Sequence, residues 1–211
     1  MELLAPFILL TSFILLIQNK IYSMISTFIW QSTFLAIVIF SQALKTPGME
    51  FYISFILFIL IKIIFIPYIL YFFVKKLNLH CKISNLKYPI VVLFSSVILT
   101  LFCYEFVAPL FNIMPNINNI LIAMLIILLG ILLLITNNNA VSYVIGFLSI
   151  ENGIFFATLV ITKGMPVIVE IGIAFDILIA VTLFGVLFMQ IHRSIDSLDV
   201  NEMNLLREDI E

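Results

Sequence analysis

Five charged side chains stand inside long apolar runs of this chain, Lys62, Glu105, Glu151, Glu170 and Asp176, and all but Glu105 are candidates for chemistry there. Lys62 lies in FYISFILFILIKIIFIPYILYFFVKK, eleven residues after Phe51 and twelve before Val74. At 1.5 Å per residue either membrane surface is about 16–18 Å away, beyond the reach of an extended lysine. Its neighbours one turn away, Phe58, Ile59, Phe65 and Ile66, are apolar, so its counter-charge must come from another helix. Glu151 is eleven residues from either end of the run 140–162, and Asp176 is eleven residues into the run 165–189. All three therefore belong near a bilayer midplane, where each ionised group costs about 3 kcal/mol or more of insertion free energy. Groups retained at such cost face a bundle interior or a wet cavity and mark an ion or proton path. Burial disfavours the charged form of a carboxylate and a nearby ammonium favours it. That competition makes protonation switchable, as a proton relay through Lys62, Glu151 and Asp176 requires.

The spacing lets Lys62 pair with either carboxylate. The plain alternative is a structural ion pair, although such a pair rarely outperforms well-packed apolar residues. Glu170 is six residues from Asp176, about 240° around the helix. It is either an access point to the relay or a rim residue reaching for water. Glu105 reads as a rim residue near the end of its helix. His80 and His192 are isolated, and Cys81 and Cys103 have neither metal-ligand nor redox spacing. With no CxxC, haem-type histidine pair or phosphate loop, no catalytic residue, metal or cofactor is expected in the chain itself.

The elements that must position these charges are membrane helices. The chain is 64% hydrophobic and 10% charged over 211 residues, more apolar surface than a soluble domain of this length can bury. A net charge of −2 argues against nucleic-acid binding. Seven apolar runs approach or reach spanning length, at 3–17, 22–44, 51–74, 89–111, 117–136, 140–162 and 165–189. Their separators carry turn chemistry: Gln18-Asn19-Lys20, Thr46-Pro47-Gly48, the basic segment 75–87, Met114-Pro115-Asn116, Asn137-Asn138-Asn139 and Lys163-Gly164. Pro67 is expected to kink the third helix and free the carbonyl of Ile63. Gly146, Ser149, Gly153 and Ala157 form a small-residue stripe within about 60°, with Glu151 roughly 140° away. One neighbour can pack tightly on that stripe while Glu151 turns toward another. Gly172 and Ala180 flank Asp176 one turn either way and permit a close helix approach.

The expected fold is thus an all-α polytopic membrane bundle of about seven helices, 1–193, followed by an acidic tail, 194–211. The first run is short enough to be interfacial instead of spanning. The N-terminus lacks the basic start and cleavage site of a signal peptide, so the first run is expected to be retained. With the N-terminus outside, the inner loops and tail hold Lys20, Lys75, Lys76, Lys82, Lys87, Arg193 and Arg207, and the outer loops only Lys45 and Lys163. This bias predicts an N-out, C-in topology. The tail is a solvated acidic end, or it docks on a cytoplasmic partner through Leu198, Met203, Leu205 and Leu206.

The blocks Ile150-Glu151-Asn152-Gly153, Val169-Glu170-Ile171-Gly172-Ile173-Ala174 with Asp176, Lys62 with Pro67, and Leu198-Asp199-Val200-Asn201 resemble component E of the hydrogenase-4, formate hydrogenlyase-like family. The resemblance covers nearly the whole chain and is strongest after Ala140. The last helices, including the pair at 140–190, are similar to the smallest, three-helix membrane subunit of respiratory complex I. Leu148-Ser149-Ile150-Glu151 looks like the surroundings of that subunit's first glutamate, and Asp176 stands where it has the second. The resemblance implies a subunit of a hydrogenase-linked oxidoreductase complex of the plasma (inner) membrane. Such a subunit holds no redox centre, contacts antiporter-like partner subunits, and conducts protons or couples redox shifts to their movement. A free-standing proton-coupled secondary transporter and a non-conducting assembly scaffold are the rival readings. No obvious inverted repeat or paired broken helix supports the transporter.

Overall fold

The computed structural model describes residues 3–44, 49–76, 89–110, 116–137 and 139–162, together with Gly172, Asp176, Leu178, Ile179 and Thr182. These residues build an all-helical assembly. α1 spans Ala5–Ile17, α2 Ile21–Ala43, α3 Met49–Phe58, α4 Ile66–Lys76, α5 Pro89–Val107, α6 Ile117–Thr136 and α7 Ala140–Thr162. A π-helical segment, Ile59–Phe65, joins α3 to α4 without a break. Among the described residues five helices are long and apolar enough to cross a membrane: Ile21–Ala43, Phe55–Lys75, Ile90–Val107, Ile117–Thr136 and Val141–Ile161. α1 has only 13 residues. That is about 20 Å of helix, against a hydrocarbon core of about 30 Å. Most of the run 165–189 and the whole tail 194–211 lie outside the described residues.

The boundaries have local causes. Pro6 sits in the first turn of α1, where a missing N–H costs nothing. Asn116 takes a left-handed conformation at φ 66°, which asparagine tolerates better than most residues, and α6 starts immediately after it. α6 ends where Asn137 turns extended (φ −108°, ψ 145°) while its N–H still donates to the carbonyl of Leu133. Asn139 then accepts from the Tyr143 N–H, and α7 begins.

The third run departs from the expected single helix kinked at Pro67. Its centre is instead unwound into seven residues of π-helix, and the Ile66 N–H reaches back to the Ile61 carbonyl. Proline at 67 has no N–H to offer, so a regular α register would leave the Ile63 carbonyl facing the ring. The helix answers with a wider turn upstream of the proline, and Lys62 sits in its middle. Wide turns of this kind concentrate at functional sites.

The chain divides into two compact units, Met1–Asp176 and Ile177–Glu211. In the first, α6 and α7 form the most extensive helix pair among the described residues, with α1 against α2 and α6, and α2 against α7. Ile8, Leu35, Val38, Ile39, Phe58, Ile126, Phe155 and Phe156 belong to one buried cluster there. In the second, Leu178, Ile179 and Thr182 are helical, and the Thr182 hydroxyl donates to the Leu178 carbonyl at 2.8 Å.

Candidate functional site

Glycine contacts set the orientation of α7. A Cβ on Gly153 would lie 2.7 Å from Ile127 Cγ1 and 3.0 Å from the Ile127 backbone nitrogen. On the facing helix, a Cβ on Gly130 would lie 2.7 Å from Ile150 Cγ1 and 3.1 Å from the Gly146 carbonyl oxygen. α6 and α7 therefore meet at backbone distance, through Gly146 and Gly153 of the small-residue stripe. Ser149 of that stripe turns to α2 instead, where its Oγ accepts from Gln31 Nε2 at 3.0 Å.

With α7 fixed, Glu151 and Asn152 face Lys62. The ammonium is fully enclosed, at 1% exposure. Its aligned hydrogen bond goes to Asn152 Oδ1 at 3.0 Å. It also forms ion pairs with Glu151 Oε1 at 3.2 Å and Asp176 Oδ1 at 3.8 Å. The Phe58 ring lies below it, 5.6 Å from Nζ to centroid, and adds a cation–π contact. The question of which carboxylate Lys62 faces is answered by both: one ammonium stands between two acids. Apart from those ion pairs, Glu151 Oε1 and Oε2 and Asp176 Oδ1 are buried without hydrogen-bond partners among the described residues.

Gly172 lies where a Cβ would be 3.4 Å from Glu151 Oε1 and 3.5 Å from Phe155 Cδ2. The close approach expected at Gly172 is thus made against α7, and it carries Asp176 to Lys62. Glu170 lies outside the described residues, as do His80, Cys81 and His192. Glu105 is exposed, and Cys103 is a free thiol buried with Val107, Ile117 and Leu125. Among the described residues no group of three or more His, Cys, Asp or Glu is placed to hold a metal ion.

Sequence reasoning missed the neutral half of the site. Asn152 Nδ2 donates to Gln31 Oε1 at 3.2 Å and to Ser32 Oγ at 3.3 Å. Gln31 Nε2 donates to Ser12 Oγ at 2.8 Å as well as to Ser149, and Ser12 Oγ donates to the Ile8 carbonyl at 3.1 Å. Ser12, Gln31, Ser32, Ser149 and Asn152 are all buried. The available signal was Gln31-Ser32 in the middle of the second apolar run, a pair that hydrocarbon does not tolerate without partners.

Chemically, the cluster has one fixed cation and two acids in a low-dielectric interior. One ammonium balances only one of the two carboxylates if both are ionised.

No protein-family model and no solved structure matches this chain. A Mycobacterium tuberculosis protein described as "Uncharacterized protein Rv0085" is 31% identical over 112 residues, 52% of this chain and 51% of that protein. The chain thus spans about half the length of the curated relative it matches.

Proposed function

We propose that this chain is a membrane subunit of a hydrogenase-4-like, complex I-related oxidoreductase complex, in which Lys62, Glu151 and Asp176 move protons or couple redox chemistry to their movement. The observation that carries the reading is the enclosed Lys62 ammonium between two carboxylates, 3.2 and 3.8 Å away, on separate segments. The sequence blocks around Glu151 and Asp176 supply the family. In this reading the chain has seven spans in the plasma (inner) membrane, N-terminus outside and acidic tail inside. Glu170 is the access point on the outer side, and electrons stay with the partner subunits.

The test is redox-driven proton uptake into vesicles holding the assembled complex, measured beside electron-transfer rate. Glu151→Gln and Asp176→Asn each leave the complex assembled and abolish or uncouple uptake, and Lys62→Met does likewise. Normal uptake at normal electron flux in all three would leave a structural ion pair and an assembly scaffold. Purification from native membranes without hydrogenase subunits would point instead to a free-standing transporter.

A further inference from the structure

Lys62 has two unlike sides. Among the described residues, the titratable groups facing it are Glu151 and Asp176. The elements on its other side present only neutral groups: Asn152 from α7, Gln31 and Ser32 from α2, and beyond them Ser12 from α1 and Ser149.

The direction of every bond on that neutral side follows from the ammonium. An ammonium only donates, so Asn152 must turn its oxygen to Lys62 and its NH2 away. That NH2 meets the Gln31 oxygen, which turns the Gln31 NH2 toward Ser12 and Ser149. Ser12 in turn donates to the Ile8 carbonyl, which ends the chain on the backbone of α1. No member ionises, and a side-chain amide does not release its proton in the way a carboxylic acid does. Each member of the branch is thus hydrogen-bonded in a fixed direction, in contrast to Glu151 Oε1 and Oε2 and Asp176 Oδ1, which have no hydrogen bond beside the ion pairs to Lys62.

We propose that Asn152, braced by Gln31 and Ser32, is the positioning residue for Lys62: the amide branch anchors the ammonium from one side, and protons move only on the carboxylate side. This rests on the relay reading above and gives its amide residues a role distinct from conduction.

The test uses the full chain in lipid nanodiscs and pH-dependent infrared difference spectra of the carboxyl C=O stretch, with bands assigned through Glu151→Gln and Asp176→Asn. Asn152→Leu should move the titration midpoint of those bands by about one pH unit, the scale of one hydrogen bond to a charged group. Gln31→Leu, which leaves Asn152 with Ser32 alone, should move it less and in the same direction. Ser142→Ala, buried on the same helix but bonded to Met24 Sδ at 3.6 Å, should not move it. Folded Asn152→Leu and Gln31→Leu chains that both titrate like the unsubstituted one would overturn the proposal. Should those variants not insert, solid-state NMR of the unsubstituted, isotope-labelled chain decides. A lysine-Nζ to asparagine-Cγ coupling that disappears in Lys62→Arg is expected, and its absence would remove the anchor. These readings need no partner subunits. Normal proton uptake in Lys62→Met, Glu151→Gln and Asp176→Asn complexes alike would end the relay, whereas an unmoved titration would end only the positioning role.

Discussion

Lys62 is the residue whose removal disturbs most. It is enclosed by one hydrogen bond, two ion pairs and an aromatic face. Lys62→Met leaves two acids together without their cation, and removing one partner of a buried pair typically costs about 3–5 kcal/mol. The expected outcome is a clear fall in the thermal unfolding midpoint of the purified chain. Lys62→Met combined with both Glu151→Gln and Asp176→Asn should regain more than half of that loss, because the triple substitution leaves no carboxylate without its cation. Equal midpoints for the single and triple variants would mean that the acids do not sense Lys62. Lys62, Glu151 and Asp176 were legible in the sequence because charge inside an apolar run is conspicuous. Gln31, Ser32 and Asn152 were not, because a neutral side chain demands no counter-charge and their partners are far away in sequence. Ser149 read only as part of the small-residue stripe, although it is hydrogen-bonded to Gln31 in the core.

Elements hold this cluster through two backbone features. The first is the contact of α6 with α7, where Gly153 would place a Cβ 3.0 Å from the Ile127 nitrogen. A backbone atom cannot swing aside as a side-chain tip can. Gly153→Ala should destabilise the chain by about 1–3 kcal/mol, with Gly153→Leu prying α7 away and reducing proton uptake along with stability. A midpoint unchanged by Gly153→Ala would show that α6 and α7 do not meet at backbone distance there. The second feature is the wide turn at Ile59–Phe65. Pro67→Ala restores an N–H and lets the segment relax to a regular helix, which rotates Lys62 relative to α4. Reduced proton uptake without loss of assembly is expected, compared with wild type under the same redox drive. The lengths and limits of α6 and α7 were readable from their apolar runs and flanking asparagines. The wide turn was not, because Pro67 reports that a regular register fails and says nothing about which repair the backbone adopts.

At the scale of the whole molecule, the outward side chains of α5, among them Ile90, Phe94, Leu101, Phe102 and Phe106, are exposed and apolar. A helix with such a surface suits hydrocarbon, which offers no partner for polar groups. The proposed topology is checked with fusions: a reporter after Lys82 or at Glu211 should read cytoplasmic, and one near Met165 external. A cytoplasmic signal near Met165 would change the number of crossings after α7.

The separation in sequence between Lys62 and its partners imposes a schedule on biogenesis. Asn152 lies 90 residues downstream of Lys62. At typical synthesis rates of 5–20 residues per second that gap lasts on the order of 5–20 seconds. Over the later part of it the Lys62 segment has emerged from the ribosome while Glu151, Asn152 and Asp176 do not yet exist. The nascent chain therefore presents an uncompensated cation to the translocation machinery, and stable lateral release of that segment depends on the arrival of α7. Chains truncated after Thr136 should integrate the Lys62 segment poorly in a glycosylation-reporter assay, and Lys62→Leu should make its integration independent of everything downstream. Full integration of the truncated wild-type segment would mean that the bilayer accepts this lysine before its counter-ions are made.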